Sequence, residues 1–362
     1  MDELTAKRQR LLTWMADRGL EAVYLARVAN FAWYTGGLEP VVMLSSDRAE
    51  AGLLITPDRS YVVCNSIEHP RLRDEDRLED QGYAFHVSPW HQGAPEFASL
   101  LGGRRWAADW PLPGAEDRSP EIARLRYQLV PEEAGRYRQL GRATGEAIER
   151  ATRHLRPGMS EMEIAGRLAA EAMHAGVTPT LLLVGADERI VRYRHPIPTS
   201  RRLESYAMLV LCGRRWGLVA SATRLVHFGP LSPELGQKQE ACAFVDATFN
   251  AATTVGASVS DIFARASAAY QEVGFPDEWK RHNQGGAAGY ESRDYEGTPE
   301  CGETVLAEQA FAWNPSITGI KSEDTILVHA EGIEFLTTTG DWPGVSVSIN
   351  GQKLSRPAIL VC

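Results

Sequence analysis

The stretch from 120 to 176, PEIARLRYQLVPEEAGRYRQLGRATGEAIERATRHLRPGMSEMEIAGRLAAEAMHAG, leaves this chain the least choice of fold. It reads as a long helix from about Glu132 to about His154, a turn at Pro157-Gly158, and a second helix. Ser160 to Glu163 give the S-x-x-E capping box that starts the second helix. β-rich runs follow, among them YAMLVLCGRRWGLVASATRLVHFG, and then another helix near 235 to 254. Paired helices followed by sheet predict two antiparallel segments with covering helices, arranged as a pseudo-symmetric layer.

The part before this stretch has a different rhythm. A helix near 3 to 17 leads into EAVYLAR as a strand, and NFAWYTGG closes on a glycine turn. AGLLITPDRSYVVCN reads as a hairpin around Pro57 to Ser60, and GRRWAADW contributes a further short strand. This is a small α/β unit with a mixed sheet. At 362 residues the chain exceeds what one core usually serves. Two domains are therefore expected, 1–128 and 129–362, with the boundary near 119 to 133.

A net charge of -9, with no basic stripe and no run of about 18 apolar residues, argues against nucleic-acid and membrane partners. The N-terminal MDELTAKRQRLLTWMADRGL alternates charges with leucines, so it predicts a folded helix rather than a secretory signal. Cys64, Cys212, Cys242, Cys301 and Cys362 show no CxxC spacing. Free thiols in a cytoplasmic, reducing setting are expected.

RHNQGGAAGY, residues 281 to 290, poses the functional question. Gly285, Gly286 and Gly289 allow a close backbone approach, which suits either a ligand pocket or a crowded strand crossing. His282, Asn283 and Gln284 place an imidazole and two carboxamides beside it.

The order of segments resembles the creatinase, aminopeptidase P and prolidase family (M24), whose catalytic half has the pita-bread fold. EAVYLARVANFAWYTGG is similar to the opening of its N-terminal domain, LRPGMSEMEIAGRLAAEAM to the start of its catalytic domain, and GIKSEDTILVHAEGIEFLT to its last metal-ligand segment. The resemblance implies an α/β (α+β) chain: a small creatinase-like domain, then a pita-bread domain. It also implies a homodimer. Metal-dependent members use two aspartates, one histidine and two glutamates around two ions. Those positions fall here at Val210, Ser221, His282, Asn314 and Glu323, so three of the five ligands are missing. Valine offers no electron pair, and paired divalent ions about 3.5–4 Å apart need anionic ligands to offset their repulsion. No metal and no other cofactor is expected.

Creatinase keeps this fold and hydrolyses a C–N bond without a metal, using a histidine that falls here at His195. A neutral imidazole accepts a proton from water and returns it to a leaving nitrogen; the alternative is a turn histidine bonded to a nearby carbonyl. His282 is a second acid/base, an anchor for substrate, or a remnant bonded to Glu323. Glu323 binds a cationic group, holds a histidine tautomer, or pairs with Lys321 or Arg224. Asn283, Gln284 and Asn314 are candidate hydrogen-bonding groups, and Arg224 is a carboxylate partner for substrate or for Glu323. Trp313 is a stacking wall or core. Tyr290 and Tyr193 are weaker candidates, and His227, on the strand face opposite Arg224, is a possible second histidine. Asp324 points away from Glu323 and is structural.

The function these residues predict is metal-independent hydrolysis of an amide, amidine or guanidine bond in a small polar metabolite. A lyase on the same fold, a silent binding or scaffold protein, and an aberrant Xaa-Pro-type metallopeptidase recruiting one ion stand beside it.

Overall fold

The structure is a computed structural model that describes residues 2–93, 97–349 and 351–362. The chain forms two compact units, Met1–Arg126 and Tyr127–Cys362.

In the first unit, helix α1 (Glu3–Ala16) starts where the Asp2 carboxylate accepts from the Thr5 amide at 3.0 Å. Strands β1 (Ala22–Arg27), β2 (Arg48–Ile55), β3 (Ser60–Asn65), β4 (Ala84–Ser88), β5 (Trp106–Ala108) and β6 (Glu116–Asp117) form one mixed sheet, ordered β4-β3-β2-β1-β5-β6. The expected hairpin is β2–β3. NFAWYTGG lies mostly within helix α2 (Val28–Tyr34), and Gly36 after it adopts φ 75°.

The second unit repeats one plan twice. Helices α3 (Pro131–Arg153) and α4 (Glu161–His174) precede an antiparallel meander of β7 (Thr178–Ala186), β8 (Tyr206–Arg215) and β9 (Leu218–His227). Helices α5 (Pro233–Ala252) and α6 (Val259–Glu272) precede a second sheet. Its strands are β10 (Gly285–Ala288), β11 (Tyr295–Glu296), β12 (Gln309–Trp313), β15 (Asp324–His329) and β16 (Gly332–Phe335), ordered β11-β10-β12-β15-β16. Between β12 and β15 lies the small hairpin of β13 (Ser316–Ile317) and β14 (Ile320–Lys321). This is the pita-bread arrangement. Helix α6 was not among the sequence expectations.

The two meanders join where β9 meets the start of β15. Thr223 N donates to Glu323 O at 3.1 Å, and Ser221 N donates to Thr325 Oγ1 at 2.8 Å. Because side chains alternate along strands, this seam has two chemical faces. Val210 lies opposite Thr223 and Cys212 opposite Ser221, all on one face. Arg224 and Asp324 face the other way. There Asp324 accepts from Arg224 Nη2 and Arg356 Nη2, each at 3.0 Å, while Arg356 Nε also reaches Asp246 at 2.6 Å. All four side chains of this ion-pair stack are at most 2% exposed.

Candidate active site

The first face opens into a cavity of about 160 Å³, lined on one side by Leu181, Leu183 and Val210 and on the other by polar groups. His195 stands at its solvent end, after the short helix Glu188–Arg192. Its Nε2 is 3.2 Å from Nε2 of His282, and Nδ1 of His282 is 3.0 Å from Ser316 Oγ. Burial lowers the pKa of both imidazoles. It brings His282 down to about 3, with the Lys321 ammonium adding to the effect. Both rings are therefore neutral at pH 7.

Glu323 lies at the cavity floor and is 1% exposed. Its Oε2 accepts from Thr223 Oγ1 and from Lys321 Nζ, each at 2.7 Å, and its Oε1 lies 3.4 Å from Arg293 Nη2. Burial alone would raise this carboxyl, but the Lys321 and Arg293 cations outweigh it and hold the pKa at about 2. His282 does not bond Glu323. Lys321 takes that place, as one of the sequence alternatives had it.

Asn283 and Asn314 also line the cavity. Asn283 is committed at both ends, donating to Glu296 Oε1 at 2.5 Å and accepting from Gly285 N at 2.7 Å. Asn314 is 6% exposed, and its Oδ1 has no hydrogen-bond partner among the described residues.

Six candidates fall elsewhere, one of them Tyr193, which is exposed with the Arg189 guanidinium over its ring. Gln284 is 2% exposed and turns inward, where Tyr270 Oη donates to its Oε1 at 2.8 Å. Arg224 lies on the opposite strand face and pairs with Asp324 and Glu149 rather than with Glu323. Trp313 is core, stacked between Phe249 and Phe311, with Nε1 donating to Thr253 Oγ1 at 2.9 Å. Tyr290 is buried and donates to Glu133 at 2.6 Å. His227 ends β9, where its Nδ1 is 2.9 Å from Gly229 O. Asp324 points away from the cavity as expected.

The glycines of RHNQGGAAGY answer the question they raised in favour of strand crossing. A Cβ on Gly285 would sit 2.2 Å from Ala312 O, and one on Gly286 would sit 2.2 Å from Tyr295 O. Sequence reasoning passed over Arg293, Ser292 and Cys212 as lining groups. Lys321 was weighed only as a salt-bridge partner, although its i, i+2 spacing to Glu323 signals a shared face.

The residues do not fit a two-metal centre. Val210 has no donor, Ser221 Oγ lies 3.1 Å from Cys212 Sγ, Asn314 is uncharged, and an ammonium already sits on the one carboxylate. No group of three or more His, Cys, Asp or Glu among the described residues is arranged to hold an ion. What the arrangement offers is a neutral, solvent-reached imidazole pair beside fixed positive charge and an unsatisfied carboxamide. That combination suits proton transfer with stabilisation of a developing oxyanion.

Comparison with known proteins places this architecture. The model of metallopeptidase family M24 matches residues 135–330, and that of the creatinase/prolidase N-terminal domain matches residues 7–109. YkvY of Bacillus subtilis, a dipeptidase by its provisional name, is 21% identical over 357 residues, covering 91% of this chain and 96% of its own. Among solved structures, the Xaa-Pro dipeptidase from Bacillus anthracis superposes with a TM-score of 0.79 at 16% identity, covering 99% of this chain and 100% of that one. The prolidase from Pyrococcus horikoshii gives 0.78 at 16% identity, covering 92% and 98%. At these identities the structural likeness speaks to the fold.

Proposed function

The chain belongs to metallopeptidase family M24, and we propose that it is a hydrolase of a C–N bond in a small polar molecule that works without a metal. His195 is the general base and then the general acid. Water loses a proton to the neutral ring as its oxygen bonds to the substrate carbon. The C–N bond breaks as His195 passes that proton to the departing nitrogen. His282, braced by Ser316, orients His195, and the cationic groups around Glu323 steady the negative charge that builds on the substrate oxygen.

The observation that carries this reading is the 3.2 Å histidine pair beside a cavity lined by Val210 and Asn314, two of the positions at which the family resemblance puts metal ligands. The names of its relatives make a dipeptide the first amide to assay. A homodimer is proposed with it. Val191, Tyr193 and Ile197, exposed around His195, supply an apolar rim that a second copy would cover. The test is turnover of a dipeptide and small-amide panel in the presence of chelator by the wild type and by His195→Ala. Wild-type turnover lost in the variant supports the reading, and turnover that disappears with chelator overturns it.

No helix among the described residues is long and apolar enough to cross a membrane.

A further inference from the structure

The charge of the substrate is decided by the groups that line the cavity, and this inference rests on the proposed reading only in taking that cavity as the substrate site. Glu323, its one lining carboxylate among the described residues, already faces a hydroxyl, an ammonium and a guanidinium. Lys321 and Arg293 are thus two cations against a single anion. Asn283 is occupied at both ends by protein partners. Leu181, Leu183 and Val210 make the facing wall apolar. Asn314, also lining the cavity and 6% exposed, has an Oδ1 without a partner among the described residues.

A buried acceptor with no donor is matched by a ligand N–H. A cation brought to the same place would lose its hydration, find no unspent carboxylate, and be repelled by Lys321 and Arg293. We infer that this cavity selects an uncharged carbonyl as the group held there, an amide or urea whose N–H donates to the Asn314 carboxamide, and rejects the amidinium or guanidinium group of the same shape. Asn314 is the residue that sets this preference: a carboxylate in its place would keep the shape and invert the charge. The inference removes two of the three bond types that the proposed function admits.

N-carbamoylglycine and guanidinoacetate make the test, because they differ only in exchanging a carbonyl oxygen for a protonated imine nitrogen. Isothermal titration of the full chain near neutral pH reads binding without requiring turnover. The expected result is wild-type binding of N-carbamoylglycine at least about tenfold tighter than guanidinoacetate, and a ratio reduced at least about tenfold, or reversed, in Asn314→Asp. Asn314→Ser, which removes the carboxamide without adding charge, should weaken N-carbamoylglycine alone. Guanidinoacetate binding the wild type as tightly or more tightly overturns the inference. So does binding of neither compound, or an unchanged ratio in folded Asn314→Asp; if that variant does not fold, the wild-type ratio and Asn314→Ser decide. Product release from the same samples separates the two ideas: selective binding with no turnover of any amide removes the hydrolase and leaves the selectivity, whereas turnover of the guanidine compound does the reverse.

Discussion

His195 and His282 face each other through Nε2 atoms 3.2 Å apart, so a single proton lies between the two rings and a second is resisted. With Ser316 at the far nitrogen of His282, the ring nitrogen of the pair left to take a proton from water is Nδ1 of His195. His195→Ala is expected to cut kcat/KM by about 10²–10⁴, in the range usual for a general base. His195→Ala with wild-type kcat/KM, measured in chelator, would remove the residue from the mechanism.

The pH profile follows from the same pair. In the proposed mechanism His195 is a neutral base, and burial, followed by the Lys321 charge, lowers its pKa below 6.5. The acid limb of kcat/KM should therefore lie below pH 6.5, and in Lys321→Met it should move upward. An acid limb well above pH 6.5 in the wild type contradicts this placement.

Stability should fall in acid for a related reason. His282 has a folded pKa of about 3 against an ordinary 6.5, so between these values the unfolded chain binds more protons. Its contribution is complete above about pH 6.5 and shrinks as pH drops toward 3. Glu323, held at about 2 against 4.5, adds stability above about pH 4.5 that is lost as pH falls toward 2. Urea unfolding at pH 7 and pH 4 should show the loss, and His282→Phe should flatten the upper part of it. A curve as steep in that variant as in the wild type would place the proton uptake elsewhere.

Lys321 and Glu323, 4% and 1% exposed, form a buried pair 2.7 Å apart. Lys321→Met leaves the carboxylate with a hydroxyl and the more distant Arg293, and should cost about 3–5 kcal/mol of stability. Adding Glu323→Leu should recover much of that loss, because the stranded charge goes with it. Equal unfolding midpoints for the wild type and the single variant would show that the pair is not coupled.

Metal removal should change little. Protein prepared without added ions is expected to carry far less than one divalent ion per chain by plasma mass spectrometry, and chelator should leave its Tm where it was, as the proposed metal-free site requires. Two ions per chain, or a Tm lowered by chelator, would return the protein to metal chemistry.

Much of this architecture is written in local signals. The S-x-x-E box is closed in both directions, Ser160 N to Glu163 Oε2 at 2.6 Å and Glu163 N to Ser160 Oγ at 3.2 Å. The long helix, expected over 132–154, spans Pro131–Arg153. Helix α6 was passed over although Val259, Ile262, Phe263, Ala266 and Tyr270 recur on its buried side, because alanines and serines between them flatten the contrast with the polar side. At the site, strand alternation correctly turned Asp324 outward. The same rule applied to Ser221 and Arg224, three apart on β9, would have removed Arg224 from the cavity. Gln284 and Asn283 precede β10, so no periodicity distinguishes the inward carboxamide from the outward one. Trp313 and Tyr290 owe their places to Thr253 and Glu133, partners distant in sequence that no local pattern names.

The seam between the meanders carries a further consequence. Glu323 lines the cavity with Thr223 bonded to it, while their immediate neighbours Arg224 and Asp324 join the reverse side to Arg356, so lining and scaffolding interleave one residue at a time. Swapping a single letter at 210 or 314 changes the cavity lining and spares the bolts. Inserting or deleting one residue at either strand's junction would drive a guanidinium into the reaction chamber and a naked carboxyl into the girders. Variation here is thus channelled toward changes of lining, while changes of length are the lesion this domain is least equipped to survive.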